Sequence, residues 1–139
     1  MRLADYDHMP SVAALMTPFP YFVRPDDPVS RALTLMRQHG IRHVPVREGD
    51  RVVGVVSEGD LRGREATALV RDVQVSTPYA VELGAPLPAV LREMAARRIG
   101  TAVVLRAEKL AGIVTVTDVC LALAAILESR FGPRGGDAA

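Results

Sequence analysis

Apolar positions recur at helical spacing in two segments of the chain, and two short apolar runs follow each segment. The spacing i, i+3, i+4, i+7 predicts two one-sided helices of about three turns, ending near Gly40 and near Gly100. Asp27 is a suitable N-cap for the first helix, whereas Ala85 is a poor one for the second. The periodic residues are Val29, Ala32, Leu33 and Met36 in the first segment and Leu87, Val90, Leu91 and Met94 in the second.

The apolar runs behind each helix predict two antiparallel hairpins. Gly49 is the residue expected to adopt a positive φ in the first turn. The predicted strands cover residues 42–47 and 52–56 in the first hairpin and residues 101–106 and 110–115 in the second.

Each hairpin leads into a further predicted helix. A short extended segment precedes each of the two one-sided helices. A short helix near Asp60 and a helical piece over 65–73 follow the first hairpin, and one long helix over 117–131 follows the second. With the extended segments 21–24 and 79–82, each half of the chain has the order β-α-β-β-α.

The two halves are copies of one another. Sliding the chain by 58 residues aligns 20–61 with 78–119 without a gap and gives 11 identities in 42 positions. Two copies predict a pseudo-twofold unit and not a long solenoid. We predict a first repeat over 10–66, a second repeat over 67–131 and a flexible tail over 132–139.

Composition restricts the core and the partners. Hydrophobic residues make up 49% of the chain and aromatic residues only 4%, so the core must be aliphatic. The formal net charge of +1 gives no electrostatic reason to expect nucleic acid as a partner. Cys120 is the only cysteine and is expected to be a buried thiol. With no secretory or membrane-spanning segment evident, we expect a cytoplasmic protein without a membrane partner.

One motif occurs in both copies at the strand-to-helix junction. Ser57 precedes Asp60 by three residues, and Thr115 precedes Asp118 by three. A carboxylate can accept two hydrogen bonds from a ribose diol, and a hydroxyl beside free N–H groups suits a phosphate. The same pattern also fits a capping box with no ligand, so both interpretations stand.

The remaining polar residues do not form a catalytic or metal-binding pattern. Ser57 has neither a glycine elbow nor an evident His or Asp relay, so we expect no enzymatic activity. The three histidines lack metal-ligand spacing, and no metal site is expected. His43 can face a nucleobase, a phosphate or solvent.

Three stretches of the chain resemble the cystathionine-β-synthase (CBS) domain. They are Val12-Ala-Ala-Leu-Met-Thr-Pro, His39-Gly-Ile-Arg-His-Val-Pro-Val46 and Gly54-Val-Val-Ser-Glu-Gly-Asp-Leu61. The doubled pattern is similar to the CBS pair, or Bateman module, over residues 10–130. The resemblance implies an α/β fold in which tandem β-α-β-β-α repeats pack sheet to sheet with pseudo-twofold symmetry. It also implies two clefts for AMP, ADP, ATP, S-adenosylmethionine or NAD(H).

The resemblance also assigns ligand-binding roles. The ribose-binding acid falls on Asp60 and Asp118, and the neighbouring hydroxyl on Ser57 and Thr115. The second copy departs from the family at Val103, where the first has Pro45, and Thr77 stands closer to its strand than Thr17 does. The strand backbone that lines the base falls on His43, Val44, Pro45, Thr101, Ala102 and Val103, and the base contacts before the first strand fall on Thr17 and Thr77.

Residues Val119 to Leu127 are apolar on every face of the predicted helix, which predicts a homodimer interface.

The expected function is a non-enzymatic sensor that binds an adenosine-containing ligand, with AMP or ATP favoured, and signals to a partner protein that the sequence does not identify. No cofactor is required. The alternative is a structural homodimerisation module whose clefts are empty or vestigial.

Overall fold

The computed structural model describes residues 3–73 and 77–133. Most of the predicted tail, residues 134–139, lies outside the described residues. Three short 3-10 turns cover Leu3–Asp5, Val12–Ala14 and Val70–Asp72. The helices and strands, in chain order, are β1 (Thr17–Pro18), α1 (Val29–His39), β2 (His43–Glu48), β3 (Arg51–Ser57), α2 (Glu58–Leu61), β4 (Ala80–Glu82), α3 (Leu87–Arg97), β5 (Thr101–Arg106), β6 (Lys109–Thr115) and α4 (Val116–Phe131).

The strands form two sheets, one for each repeat. One sheet has the order β1-β6-β5-β4, with β4 parallel to β5 and the other pairs antiparallel, and the other sheet is the hairpin β2-β3. The counterpart of β4 in the first repeat is reduced to a single parallel bridge between Val23 and Val46. The two sheets meet where β3 contacts β6. The predicted α/β fold is therefore confirmed.

Each repeat has its own aliphatic core. Val29, Ala32 and Met36 of α1 are buried in the first core, and Leu87, Val90 and Met94 of α3 are buried in the second. All six belong to the predicted apolar faces of the two helices. Their burial against a sheet stabilises the fold, because it removes apolar side chains from water.

The segments that open the two repeats cross over and pack on the opposite repeat. The N–H of Leu87 donates to the carbonyl of Pro10, and β1 pairs with β6, so residues 10–18 lie against the second repeat. Likewise the N–H of Val29 donates to the carbonyl of Ala68 at 2.7 Å. Val12 belongs to the second core, and Val70 and Val73 belong to the first. Neither repeat is complete without the chain on the far side of the pseudo-twofold axis.

This crossing corrects two expectations about helix boundaries. Asp27 does not cap α1: Pro28 takes the N-cap position without a side-chain hydrogen bond, and the carboxylate of Asp27 accepts from the N–H of Arg24. The helical piece expected over 65–73 is only the turn Val70–Asp72. The reason is that the carbonyls of residues 66 and 68 accept the first N–H groups of α1, so they are not used within a helix of their own.

The helix C-termini differ between the repeats. Gly40 ends α1 with φ of 63°, as predicted, and Gly49 has the expected positive φ of 60° in the first hairpin turn. In the second repeat Arg98 ends α3 with φ of 55°, before Gly100 is reached. The long helix of the second repeat, α4, begins at Val116, one residue before the predicted start.

A substitution at Gly112 tests the contact of β1 with the second repeat, because Gly112 of β6 pairs with Pro18 of β1. A β-carbon at this position would lie 2.9 Å from Cγ of Met16 and 3.0 Å from the carbonyl oxygen of Thr17. We expect Gly112→Ala to lower the free energy of unfolding by about 1–3 kcal/mol through overpacking, measured by urea denaturation. The control is Gly84→Ala, where a β-carbon meets nothing within 4 Å. Equal effects of the two substitutions would contradict the close approach.

Candidate functional site

Both hydroxyl-x-x-acid motifs form capping boxes. The carboxylate of Asp60 accepts from the N–H of Ser57 at 2.8 Å, and Oγ of Ser57 accepts from the N–H of Asp60 at 3.1 Å. In the second repeat the corresponding distances between Thr115 and Asp118 are 2.8 and 3.4 Å. The motifs therefore stabilise the starts of α2 and α4. In each box the backbone N–H uses Oδ2, so Oδ1 of each acid is not part of the box.

The two acids have different surroundings. Oδ1 of Asp118 accepts from the hydroxyl of Thr17 at 3.3 Å, and Oδ2 also accepts from the hydroxyl of Thr115 at 3.1 Å. Thr17 reaches Asp118 because β1 has crossed onto the second sheet. The crossing thus places three oxygen-bearing side chains, Thr17, Thr115 and Asp118, in one hydrogen-bonded group.

This group lies in a cavity of about 730 Å³ between the repeats, which we call the Asp118 cleft. The first repeat supplies one wall, from the segment before α1, the end of α1 and the start of β2. The second repeat supplies β6 and the first turn of α4. The lining residues are Thr17, Pro20, Tyr21, His39, Gly40, Ile41, Arg42, His43, Pro45, Gly100, Ile113, Thr115, Val116, Thr117 and Asp118.

A second and smaller cavity, of about 180 Å³, surrounds Asp60 and is called the Asp60 cleft. It is the repeat-related copy of the first, because most of its lining residues have a counterpart 58 positions away in the Asp118 cleft. An outer cavity of about 300 Å³ adjoins it and shares His43 and Ser57 with it. The Asp60 cleft is lined by His43, Val55, Ser57, Asp60, Thr77, Pro78, Tyr79, Ile99, Gly100 and Thr101.

His43 lies between the two clefts. Its side chain lines both, and its Cε1 lies 3.9 Å from the place where a β-carbon on Gly100 would stand. Burial lowers the pKa of His43; the charge of Asp60 opposes this shift, and that of Arg42 adds to it. The imidazole is therefore held neutral more strongly than an exposed one, with one nitrogen as a donor and the other as an acceptor.

The strand residues predicted to line a base fall into two groups. Val44, Ala102 and Val103 are fully buried in the protein, so a ligand could meet only their backbone. Pro45 lines the Asp118 cleft, Thr101 and Thr77 line the Asp60 cleft, and His43 lines both. Oγ1 of Thr101 is buried and makes no hydrogen bond within the described part of the chain. Such a hydroxyl is stabilised when solvent or a ligand pairs with it.

Sequence reasoning missed a pair of stacked rings in the wall of the Asp118 cleft. The rings of Tyr21 and His39 are 3.7 Å apart and 12° from parallel. Their counterparts in the second repeat are Tyr79 and Arg97, with the guanidinium carbon 4.6 Å from the ring centre. The Tyr21/Tyr79 identity in the repeat alignment was the available signal, since a tyrosine kept in both copies stands beside both clefts.

The surface of α4 corrects the expectation for Cys120, whose thiol is exposed and not buried. The helix packs on the second core through Val119 and contacts the N-terminal turn Leu3–Asp5, and none of its residues is fully buried. Leu121, Leu123, Leu127 and Phe131 are 67%, 54%, 48% and 75% exposed. A run that is apolar on every face cannot be covered by contact along one side.

In residues 3–73 and 77–133, no group of three or more His, Cys, Asp or Glu side chains is placed to hold a metal ion. Over the same ranges, none of the helices combines the length and the apolar character that a membrane crossing needs.

Comparison with known families identifies both repeats. The model of the CBS domain matches residues 12–66 and again residues 70–125. A zinc metalloprotease of Methanocaldococcus jannaschii is 33% identical over 116 residues, which cover 84% of this chain and 32% of that protein. The chain thus spans about a third of the length of that relative.

Solved structures agree with this match. The CBS domains of a transcriptional regulator from Streptococcus pneumoniae superpose with a TM-score of 0.73 at 28% identity, covering 80% of this chain and 97% of that one. The CBS domain of a bacterial CNNM/CorC-family Mg²⁺ transporter, solved in complex with ATP, gives a TM-score of 0.72 at 26% identity, covering 83% and 87%.

The lowered pKa of His43 predicts a dependence of stability on pH. The pKa of His43 in the folded protein lies below the ordinary value of 6.5, so the unfolded chain binds the proton more tightly. The contribution of His43 is therefore complete above pH 6.5 and is lost as the pH falls below it. We expect the free energy of unfolding of the wild type to fall relative to His43→Gln as the pH is lowered. Urea denaturation of both proteins from about pH 7.5 to about pH 5 measures this; a constant or rising difference would contradict it.

Proposed function

We propose that the chain, which belongs to the CBS domain family, is a regulatory CBS pair that binds an adenosine-containing ligand between its repeats. The observation that carries the proposal is the position of the Thr115–Asp118 capping box. It lies in a cavity of about 730 Å³ to which both repeats contribute. A volume of this size is typical of small-molecule sites.

The chemistry of the Asp118 cleft suits a nucleoside. The carboxylate of Asp118 and the hydroxyls of Thr17 and Thr115 can exchange hydrogen bonds with a ribose diol. The apolar side chains of Ile41 and Ile113 offer a surface for the flat faces of a base. A few polar groups in a mainly apolar pocket fix the orientation of such a ligand.

Signalling follows from the shared walls of the cleft. A ligand that contacts both repeats favours one relative placement of them, and it shifts the population only by its difference in affinity between the two placements. The crossing segments 10–18 and 66–73 would transmit such a shift, because each is hydrogen-bonded to the opposite repeat. The regulated partner is a protein that reads this placement.

Relatives support a regulatory function without catalysis. The ATP complex of the transporter CBS domain, at 26% identity, makes an adenine nucleotide a reasonable ligand class. The metalloprotease relative is three times longer than the matched region, as expected if the CBS pair is the regulatory part of a larger protein. We propose a cytoplasmic protein with no required cofactor and with AMP or ATP as the ligand.

The second candidate function is a structural homodimerisation module with empty or vestigial clefts. The exposed apolar side chains of α4 favour it, since a patch of this kind marks an interaction site. We propose that α4 packs against the same helix of a second copy, because an isologous contact lets one apolar surface cover itself. Dimerisation is compatible with ligand binding. The two candidate functions therefore differ only in whether the clefts bind a ligand.

Ligand binding predicts stabilisation by mass action. AMP or ATP at 100 times its dissociation constant should raise the free energy of unfolding by about 2.7 kcal/mol. Thermal unfolding with AMP, ATP, S-adenosylmethionine and NADH measures this gain. Asp118→Ala should reduce this gain, beyond the roughly 1 kcal/mol that loss of the cap costs without ligand. If none of the four compounds shifts the transition, the sensor function is wrong and the structural module remains.

The α4 interface predicts a dimer in solution. Leu121→Arg places a charge in the apolar contact and should convert the dimer to a monomer, as measured by sedimentation velocity. The matched control is Gln38→Arg, which adds the same charge at an exposed position of α1. A wild type that remains a monomer at a protein concentration of roughly 100 μM would contradict the interface.

A further inference from the structure

The two clefts are related by the repeat but differ in their space. The Asp118 cleft is a single cavity of about 730 Å³, whereas the space near Asp60 is divided into cavities of about 180 and 300 Å³. Drug-sized ligands usually occupy about 300 to 1,000 Å³ of continuous pocket. The Asp118 cleft falls within that range, and the Asp60 cleft falls below it.

The difference arises at two positions of the repeat. His43 and Thr101 are counterparts, and so are Arg42 and Gly100. His43 lines both the 180 Å³ cavity and its 300 Å³ neighbour, and Arg42 lines the neighbour. At the corresponding position of the Asp118 cleft, Thr101 does not line the cavity and Gly100 has no side chain. Arg42 and His43 reach this cleft from the first repeat, on the opposite wall.

The charges of the Asp118 cleft limit the ligand further. Among the described residues, Arg42 is the one arginine that lines this cleft, and its Nε lies 3.9 Å from a carboxylate oxygen of Glu58. The other titratable side chains of the lining are Tyr21, His39, His43 and Asp118. The first turn of α4 adds the N–H and hydroxyl of Thr117, where helix N–H groups lack partners within the helix. One guanidinium, which is shared with Glu58, and one helix start match the charge of a single phosphate better than that of a triphosphate.

From this we infer that the Asp118 cleft alone binds the ligand, with one molecule per chain, and that it selects an adenosine nucleotide with a single phosphate. The inference rests on the proposed function and adds the cleft, the stoichiometry and the phosphate number to it. Asp118 receives the ribose, and Arg42 with the first turn of α4 receives the phosphate.

Isothermal titration of the full chain with AMP tests the cleft. We expect one AMP per chain, about tenfold weaker binding in Asp118→Ala, and a change of less than about twofold in Asp60→Ala. The two variants are matched, because each removes the acid of one capping box. Two AMP molecules per chain, or a larger loss in Asp60→Ala, would overturn the assignment.

A second pair of variants guards against loss of folding. Thr117→Glu puts a negative charge in the first turn of α4, where it stabilises the helix and opposes a phosphate. It should weaken AMP roughly fivefold and leave adenosine unchanged. Gly59→Glu is its counterpart in the first repeat, where a β-carbon meets only Oγ of Ser57 at 3.7 Å, and it should leave AMP binding unchanged. Equal effects of the pair would overturn the assignment.

The phosphate number is tested with adenosine, AMP and ATP on the wild type and on Arg42→Gln. AMP should bind the wild type roughly three- to fivefold more tightly than adenosine, and Arg42→Gln should remove that difference. ATP should bind no more tightly than AMP; a tenfold preference for ATP would overturn the inference while the proposed function stands. If no adenosine compound binds the wild type, both fall together.

Discussion

The structure depends on the exchange of two backbone segments between the repeats. Residues 10–18 cap α3 and pair with β6, and residues 66–73 cap α1. Each of these two helices therefore begins against the opening segment of the other repeat. Because buried N–H groups need partners, neither helix start is satisfied within its own repeat. The exchange makes one folding unit of two copies, and it also brings Thr17 of the first copy to Asp118 of the second. The candidate site is a consequence of the same crossing that stabilises the fold.

Asp118 serves the fold and is proposed to serve the ligand. Its Oδ2 accepts the N–H of Thr115 and thereby fixes the start of a 16-residue helix. Its Oδ1 faces the hydroxyl of Thr17 at 3.3 Å, a long contact that a ribose hydroxyl can replace without loss of the cap. The structural and the ligand-binding interpretations of the motif are therefore compatible. A preformed cap also holds the carboxylate in place before the ligand arrives, which reduces the entropy lost on binding.

Sequence reasoning succeeded where the signal is local. The helical stripes of α1 and α3, the two hairpins and the repeat of 58 residues all follow from patterns within a few turns of chain. It failed where contacts between distant parts of the chain determine the local structure. Asp27 does not cap α1 because the carbonyl of Ala68 already accepts the N–H of Val29 at the helix start. The exposure of Cys120 and the inequality of the clefts were likewise hidden. They depend on what packs beside α4 and on how far the imidazole of His43 reaches.

The most direct measurement is a two-dimensional amide NMR titration of the full chain with AMP. Thr117 reports on the Asp118 cleft alone, and Thr77 reports on the Asp60 cleft alone. We expect the signals of Thr117 and of its neighbours in the first turn of α4 to shift in proportion to one bound AMP, while the Thr77 signal stays in place. Shifts at Thr77 without shifts at Thr117, or no shifts at either, would contradict it.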